Sequence, residues 1–194
     1  MLRYIRRALQ WLAVAGVILP VLSGCAAVVL GGALGGGVLL AEDRRTVGTV
    51  TEDQGIEVKA SSRIGDVVQG AHINITSFNR QVLLTGEVPN AAARDNAERV
   101  TRAIENVRGV YNELQVGANT ALSVRTNDAF LTSKVKARFV DGGNFSPVHV
   151  KVTTENGVTH LMGLVKRAEA DAATEVARTT GGVQKVVRLF EYID

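Results

Sequence analysis

Residues 73–88, INITSFNRQVLLTGEV, align without a gap with residues 150–165, VKVTTENGVTHLMGLV. A repeat of this kind constrains the architecture strongly, because both copies must build the same unit. Ile73 pairs with Val150, Ile75 with Val152, Asn79 with Asn156, Leu84 with Leu161 and Gly86 with Gly163. Each copy alternates apolar and polar residues, turns, and alternates again. That pattern is a β-hairpin with one buried face. ENG at 155–157 is a clear turn signal, and FNR at 78–80 is its weaker equivalent.

The flanks repeat as well. Asn90 is placed to cap a helix carrying Ala93, Ala97, Val100 and Ile104 on one face. The second copy has AEADAATEVARTT, with Arg167 at the capping position. A strand then follows each helix: Val107 pairs with Val183, Val110 with Val186 and Leu114 with Phe190. A further helix precedes each hairpin. Leu131, Val135 and Phe139 recur every four residues in the second copy, with Asn127 or Asp128 expected as its cap and Gly142-Gly143 as its end. Ile56, Ala60 and Ile64 recur likewise in the first. The expected fold is therefore α+β: two tandem α-β-β-α-β units, each a three-stranded mixed sheet with two helices on one face. Each unit has about 65 residues, a size that is marginal alone, so the two should lean on each other.

Ahead of the repeats stands the one cysteine, Cys25. A lone thiol makes no internal disulfide. Arg3, Arg6 and Arg7 precede a short apolar run, and Ser23 and Gly24 lead into Cys25. This is the layout of a secretory signal. The apolar core is shorter than the ~20 residues of a membrane span. Leu22-Ser23-Gly24-Cys25 resembles a bacterial lipobox. The resemblance implies cleavage before Cys25, lipidation of its sulfur and, because Ala26 rather than Asp follows, delivery to the outer membrane. The other reading is a free cysteine in an uncleaved anchor. Residues 26–41 are apolar and glycine-rich and are read as a tether rather than a second span, and 42–55 as a polar linker running into the first unit. The expected division is a signal over 1–24, lipidated cysteine and tether over 25–53, units at 54–117 and 127–194, and a linker over 118–126.

The chain has 22 Lys and Arg against 19 Asp and Glu. Without the three arginines of the signal the two signs balance, so nothing points to nucleic acid. His72, His149 and His160 show no HxxxH or HExxH spacing, and the folded part offers no cysteine ligand. No GxSxG or phosphate-cradling loop occurs. The expectation is a protein that is not an enzyme, with no catalytic residue, no metal and no cofactor.

The α-β-β-α-β repeat, the LLTGEV and LMGLV strands and the NVRGVYNEL ending resemble BON domains, the bacterial OsmY and nodulation family. Two such domains behind a lipobox are similar to the dual-BON lipoproteins of the outer membrane. The resemblance covers roughly residues 42–193. It implies a periplasm-facing protein that binds anionic phospholipid, such as phosphatidylglycerol or cardiolipin, through the second domain. It also implies a part in envelope integrity and a link to cell division. Arg188 departs from the pattern, standing where the first copy has Asn112. The alternative function is a periplasmic adaptor to outer-membrane protein assembly machinery or peptidoglycan remodelling.

The helix around 128–140 carries the candidate lipid site. Phe130 falls about 140° from the inward stripe. Ser133, Lys134 and Ala137 share its face, and Lys136 and Arg138 flank it. An aromatic beside cations suits an interfacial helix. In the first copy Lys59 and Arg63 match Lys134 and Arg138, but Gly55 stands opposite Phe130. Phe130 is therefore expected to meet lipid or, alternatively, to pack beneath the first domain.

Overall fold

The computed structural model describes residues 42–142 and 144–194. Cys25, the signal and the tether up to residue 41 lie outside the described residues. The element order is α1 (Val47–Val67), β1 (His72–Phe78), β2 (Gln81–Val88), α2 (Ala91–Arg102), β3 (Gly109–Asn112) and β4 (Gln115–Val116) in the first half. The second half has α3 (Leu122–Gly142), a short 3₁₀ turn (Pro147–His149), β5 (Val150–Glu155), β6 (Val158–Val165), α4 (Arg167–Arg178) and β7 (Lys185–Tyr192). The fold is α+β and duplicated.

In each half a hairpin pairs antiparallel and its second strand then takes the last strand in parallel. The second sheet runs β5-β6-β7. In the first half the closing strand is broken. Asn112 Oδ1 accepts the Leu114 N–H at 3.3 Å, Leu114 drops into the core, and pairing with β2 resumes as β4.

The repeat glycines are explained by close backbone approach. A Cβ on Gly86 would collide with the carbonyl of His72, and one on Gly163 with that of His149. Gly86 also has φ +112°, a conformation open mainly to glycine.

Each half has its own core. Ile56, Ala60 and Ile64 of α1 pack with Val82, Leu84 and Val88 of β2 and Ala93 and Ala97 of α2. Val135 and Phe139 of α3 pack with Val152, Leu161 and Val165 and with Ala170, Ala173 and Ala177 of α4. Strand residues one step out of phase point to the other side of each sheet. There Phe78 and Leu83 meet Met162 in a third buried cluster, flanked by Tyr111, Leu164 and Leu189. The two sheets thus cover each other, with the helices outside.

Polar links cross the same seam. Asn74 donates to Glu155 at 2.6 Å, the Thr76 and Thr153 hydroxyls meet at 3.2 Å, and Arg108 and Asn79 reach Glu191 at 2.8 and 2.9 Å. The segment entering α1 belongs to both halves. Arg44 bonds the Leu164 carbonyl and grips both oxygens of Glu169 at 2.6 and 2.7 Å. Arg45 lies 3.8 Å over the Phe78 ring and pairs with Asp53. Hydrogen bonding to Arg44 holds the Glu169 carboxyl down to about 2.

Three local expectations need correction. Asp128 does not cap α3; the helix starts earlier, at Leu122, and Asp128 lies inside it, buried. Its carboxylate accepts the backbone N–H groups of Asn156 and Gly157 at 2.8 and 2.9 Å, bracing the β5–β6 turn. Asp53 of α1 does the same for the β1–β2 turn. It accepts from Ser77 Oγ and from the N–H groups of Asn79 and Arg80 at 2.7–2.8 Å. Both turns carry two consecutive residues at positive φ: Asn79 and Arg80, and Asn156 and Gly157. Helix α1 begins at Val47, inside the stretch expected as linker, because the Thr46 hydroxyl accepts the Thr49 N–H. The cap of α4 is Lys166 rather than Arg167, and its N–H is held by Glu169 at 2.8 Å.

Candidate functional site

Helix α3 buries Asp128, Leu131, Val135 and Phe139, half-buries Val124, Arg125, Thr132 and Arg138, and exposes the rest of its described residues. Phe130 is 64% exposed, so it does not pack beneath the first domain. The structure brings Phe130, Ser133, Lys134 and Ala137 together on one solvent-facing strip, as the spacing predicts. Val140, 72% exposed, extends that strip and was missed in the sequence. It lies seven residues beyond Ser133 on the same helix line, and this spacing was the signal that could have found it. Phe130 and Val140 are about 15 Å apart along the axis. Lys136 is exposed beside them, and Asp141 is the one exposed carboxylate of residues 129–142.

The cations of this strip are held by the neighbouring helix end. Lys134 Nζ donates to the Gly181 carbonyl at 2.9 Å. Arg138 donates to the Val176 carbonyl and the Thr180 hydroxyl at 2.8 and 2.7 Å, and to the Thr179 hydroxyl at 3.1 Å. The last carbonyls of a helix carry partial negative charge, so two cations are well placed there. The first half repeats the device: Arg63 donates to the Ala103 carbonyl just past α2. Arg138 is half-buried and its fork is engaged, whereas Lys134 stays exposed on a mobile four-carbon stem. Ser133 donates to the Ala129 carbonyl within its own helix at 3.0 Å.

The arrangement is therefore a strip with Phe130 and Val140 exposed toward its ends, Ser133, Lys134 and Ala137 between them, and Lys136 and the Arg138 head alongside. It has the chemistry to insert an aromatic at an interface while cations meet anionic groups. Among the described residues no helix is long and apolar enough to cross a membrane. Arg188, which departs from the repeat, keeps the duty of its counterpart. It ties β7 to Asp171 of α4 at 2.9 Å, as Asn112 ties β3 to Glu98 of α2 at 2.9 Å.

Comparison with known proteins agrees with this duplication. The BON domain family model matches residues 52–118 and 127–194. The chain is 36% identical over 178 residues to "Outer membrane lipoprotein DolP" of Haemophilus influenzae, across 89% of this chain and 91% of that protein. It is 32% identical over 154 residues to "21 kDa hemolysin" of Actinobacillus pleuropneumoniae, across 78% and 79%. It is 31% identical over 145 residues to "Osmotically-inducible protein Y" of Escherichia coli, across 72% of each.

Proposed function

Because the chain belongs to the BON-domain family through two copies, at 52–118 and 127–194, we propose that it is a periplasm-facing lipoprotein anchored in the outer membrane. Its second domain binds anionic phospholipid through the outer face of α3 and so helps to maintain the membrane. One observation carries the reading: a large aromatic, Phe130, stands 64% exposed beside cations on a helix whose other face is fully packed. Large apolar side chains presented with cations on one strip mark interaction surfaces. The name of the Haemophilus influenzae relative supports the outer-membrane location and the lipid anchor, which Cys25 supplies. An anchor raises the effective concentration of its own membrane to ~mM, so a weak intrinsic contact suffices. A role at the division site follows only from the family resemblance.

The test uses a fragment spanning residues 42–194, which holds both cores. It should co-sediment with phosphatidylglycerol vesicles, release with salt, and ignore zwitterionic vesicles. Phe130→Glu should abolish sedimentation while melting at the wild-type temperature. A folded fragment that leaves both vesicle types unbound would instead favour the adaptor reading.

A further inference from the structure

Three side chains that the lipid face leaves unused converge where the two sheets meet. His72 opens β1, Glu87 lies near the end of β2, and Glu155 closes β5. His72 Nδ1 is 3.2 Å from Glu87 Oε2 and 3.9 Å from Glu155 Oε1. One donor atom from each of the three falls within 4.8 Å of the others. Both carboxylates are buried, 5% and 7% exposed. Two like charges brought together out of water need a counter-charge. Among the described residues, His72 is the basic side chain within 4 Å of both. Burial pushes the Glu155 carboxyl up, against the pull of its Asn74 hydrogen bond.

We propose that His72, Glu87 and Glu155 form a site for a first-row divalent cation of the zinc type, which joins the first domain to the second. In a tetrahedral site with bonds of about 2.0–2.1 Å, neighbouring ligand atoms lie roughly 3.3 Å apart, close to the spacing around His72. One imidazole with two carboxylates suits such a metal better than calcium, which asks for six to eight oxygens. The carboxylates are already oriented. Asn74 Nδ2 holds Glu155 Oε2 at 2.6 Å, leaving Oε1 toward His72. Thr120 holds Glu87 Oε2 with its N–H at 3.1 Å and its hydroxyl at 3.3 Å. Outer donors of this kind fix ligand geometry in metal sites.

A separate observation points to a ligand. A cavity of about 350 Å³ opens onto Glu87 and Glu155, and His160 of β6 lines it. His160 is 3% exposed, and neither ring nitrogen has a hydrogen-bond partner. Burial pushes the His160 imidazole down, against Glu113 and the Thr153 and Val158 backbone, which draw it up. An orphaned buried polar group is costly. Glu113 and Lys185 also line the cavity.

The test is calorimetric titration of zinc chloride into the full chain, purified in detergent after chelator treatment, with cobalt absorption reporting coordination. Wild type should bind one equivalent and melt at a higher temperature when loaded. His72→Ala and Glu155→Gln should each weaken binding at least tenfold, and His160→Gln less. Glutamine keeps an oxygen that can accept from Asn74, so without metal Glu155→Gln should melt within a few degrees of wild type, and its loss of affinity is then not unfolding. Absence of saturable one-to-one binding in folded wild type overturns the site. So does affinity unchanged in both ligand variants.

Discussion

Single residues carry unusual weight in this molecule because the same side chain recurs in both halves. Asp53 and Asp128 each brace a turn that their own element does not contain. Hydrogen bonds to a charged group contribute ~1.5–3 kcal/mol, so Asp128→Ala should cost roughly 2–4 kcal/mol in urea unfolding. Asp53→Ala should cost at least as much, because Arg80 at φ 64° relies on that carboxylate and glycine does not stand there. Glu169 gives a pH signature. Its carboxyl is lowered from 4.5 to about 2 by Arg44. The contact therefore stabilises fully above pH 4.5 and is lost as pH falls through about 2. Thermal melting from pH 5 to pH 2 should fall more steeply for wild type than for Glu169→Gln. Asp128 was visible in the sequence as a cap candidate, but its role was not. An acidic residue ahead of an apolar stripe reads as a cap, and only the tertiary approach of the hairpin turn shows what it binds.

At the scale of the element, α3 is both a wall of the core and the proposed lipid face, and its residues divide between the two. Phe130→Glu should leave stability within about 0.5 kcal/mol, as surface changes usually do, while removing vesicle binding. Arg138→Ala should behave differently. It releases the Val176 carbonyl and the Thr180 hydroxyl at the end of α4, so stability should drop by roughly 1–2 kcal/mol. Vesicle binding per folded molecule measures whatever lipid role remains to it. The inward stripe of Leu131, Val135 and Phe139 was legible because helical period and burial coincide. The engagement of Lys134 and Arg138 was not, since it depends on where the end of α4 comes to rest. Val140 was within reach of the same helical phase, which sets it seven residues beyond Ser133 on the outer face, where it is exposed.

For the whole molecule, the seam between the sheets decides whether two marginal units act as one body. Met162 is 2% exposed between Phe78 and Leu83. Met162→Ala should cost about 2–5 kcal/mol and split a single calorimetric transition into two. The sequence showed two similar units but not their docking. Hydrophobic alternation names one buried face per strand, and the second face of β2 and β6 is covered only through a partner distant in the chain. The proposed metal ligands were hidden for the same reason, since His72 and Glu155 belong to different copies. The paired aspartate braces also bear on kinetics. Each links positions 24–29 residues apart, whereas bonds across the seam join positions 70–112 apart. Closing the short loops costs less entropy, so each half condenses around its own helix and turn before the halves dock. The first half can complete this step before the second has been synthesised. In stopped-flow refolding, Asp53→Ala and Asp128→Ala should slow the early phase, while Met162→Ala should chiefly hasten unfolding.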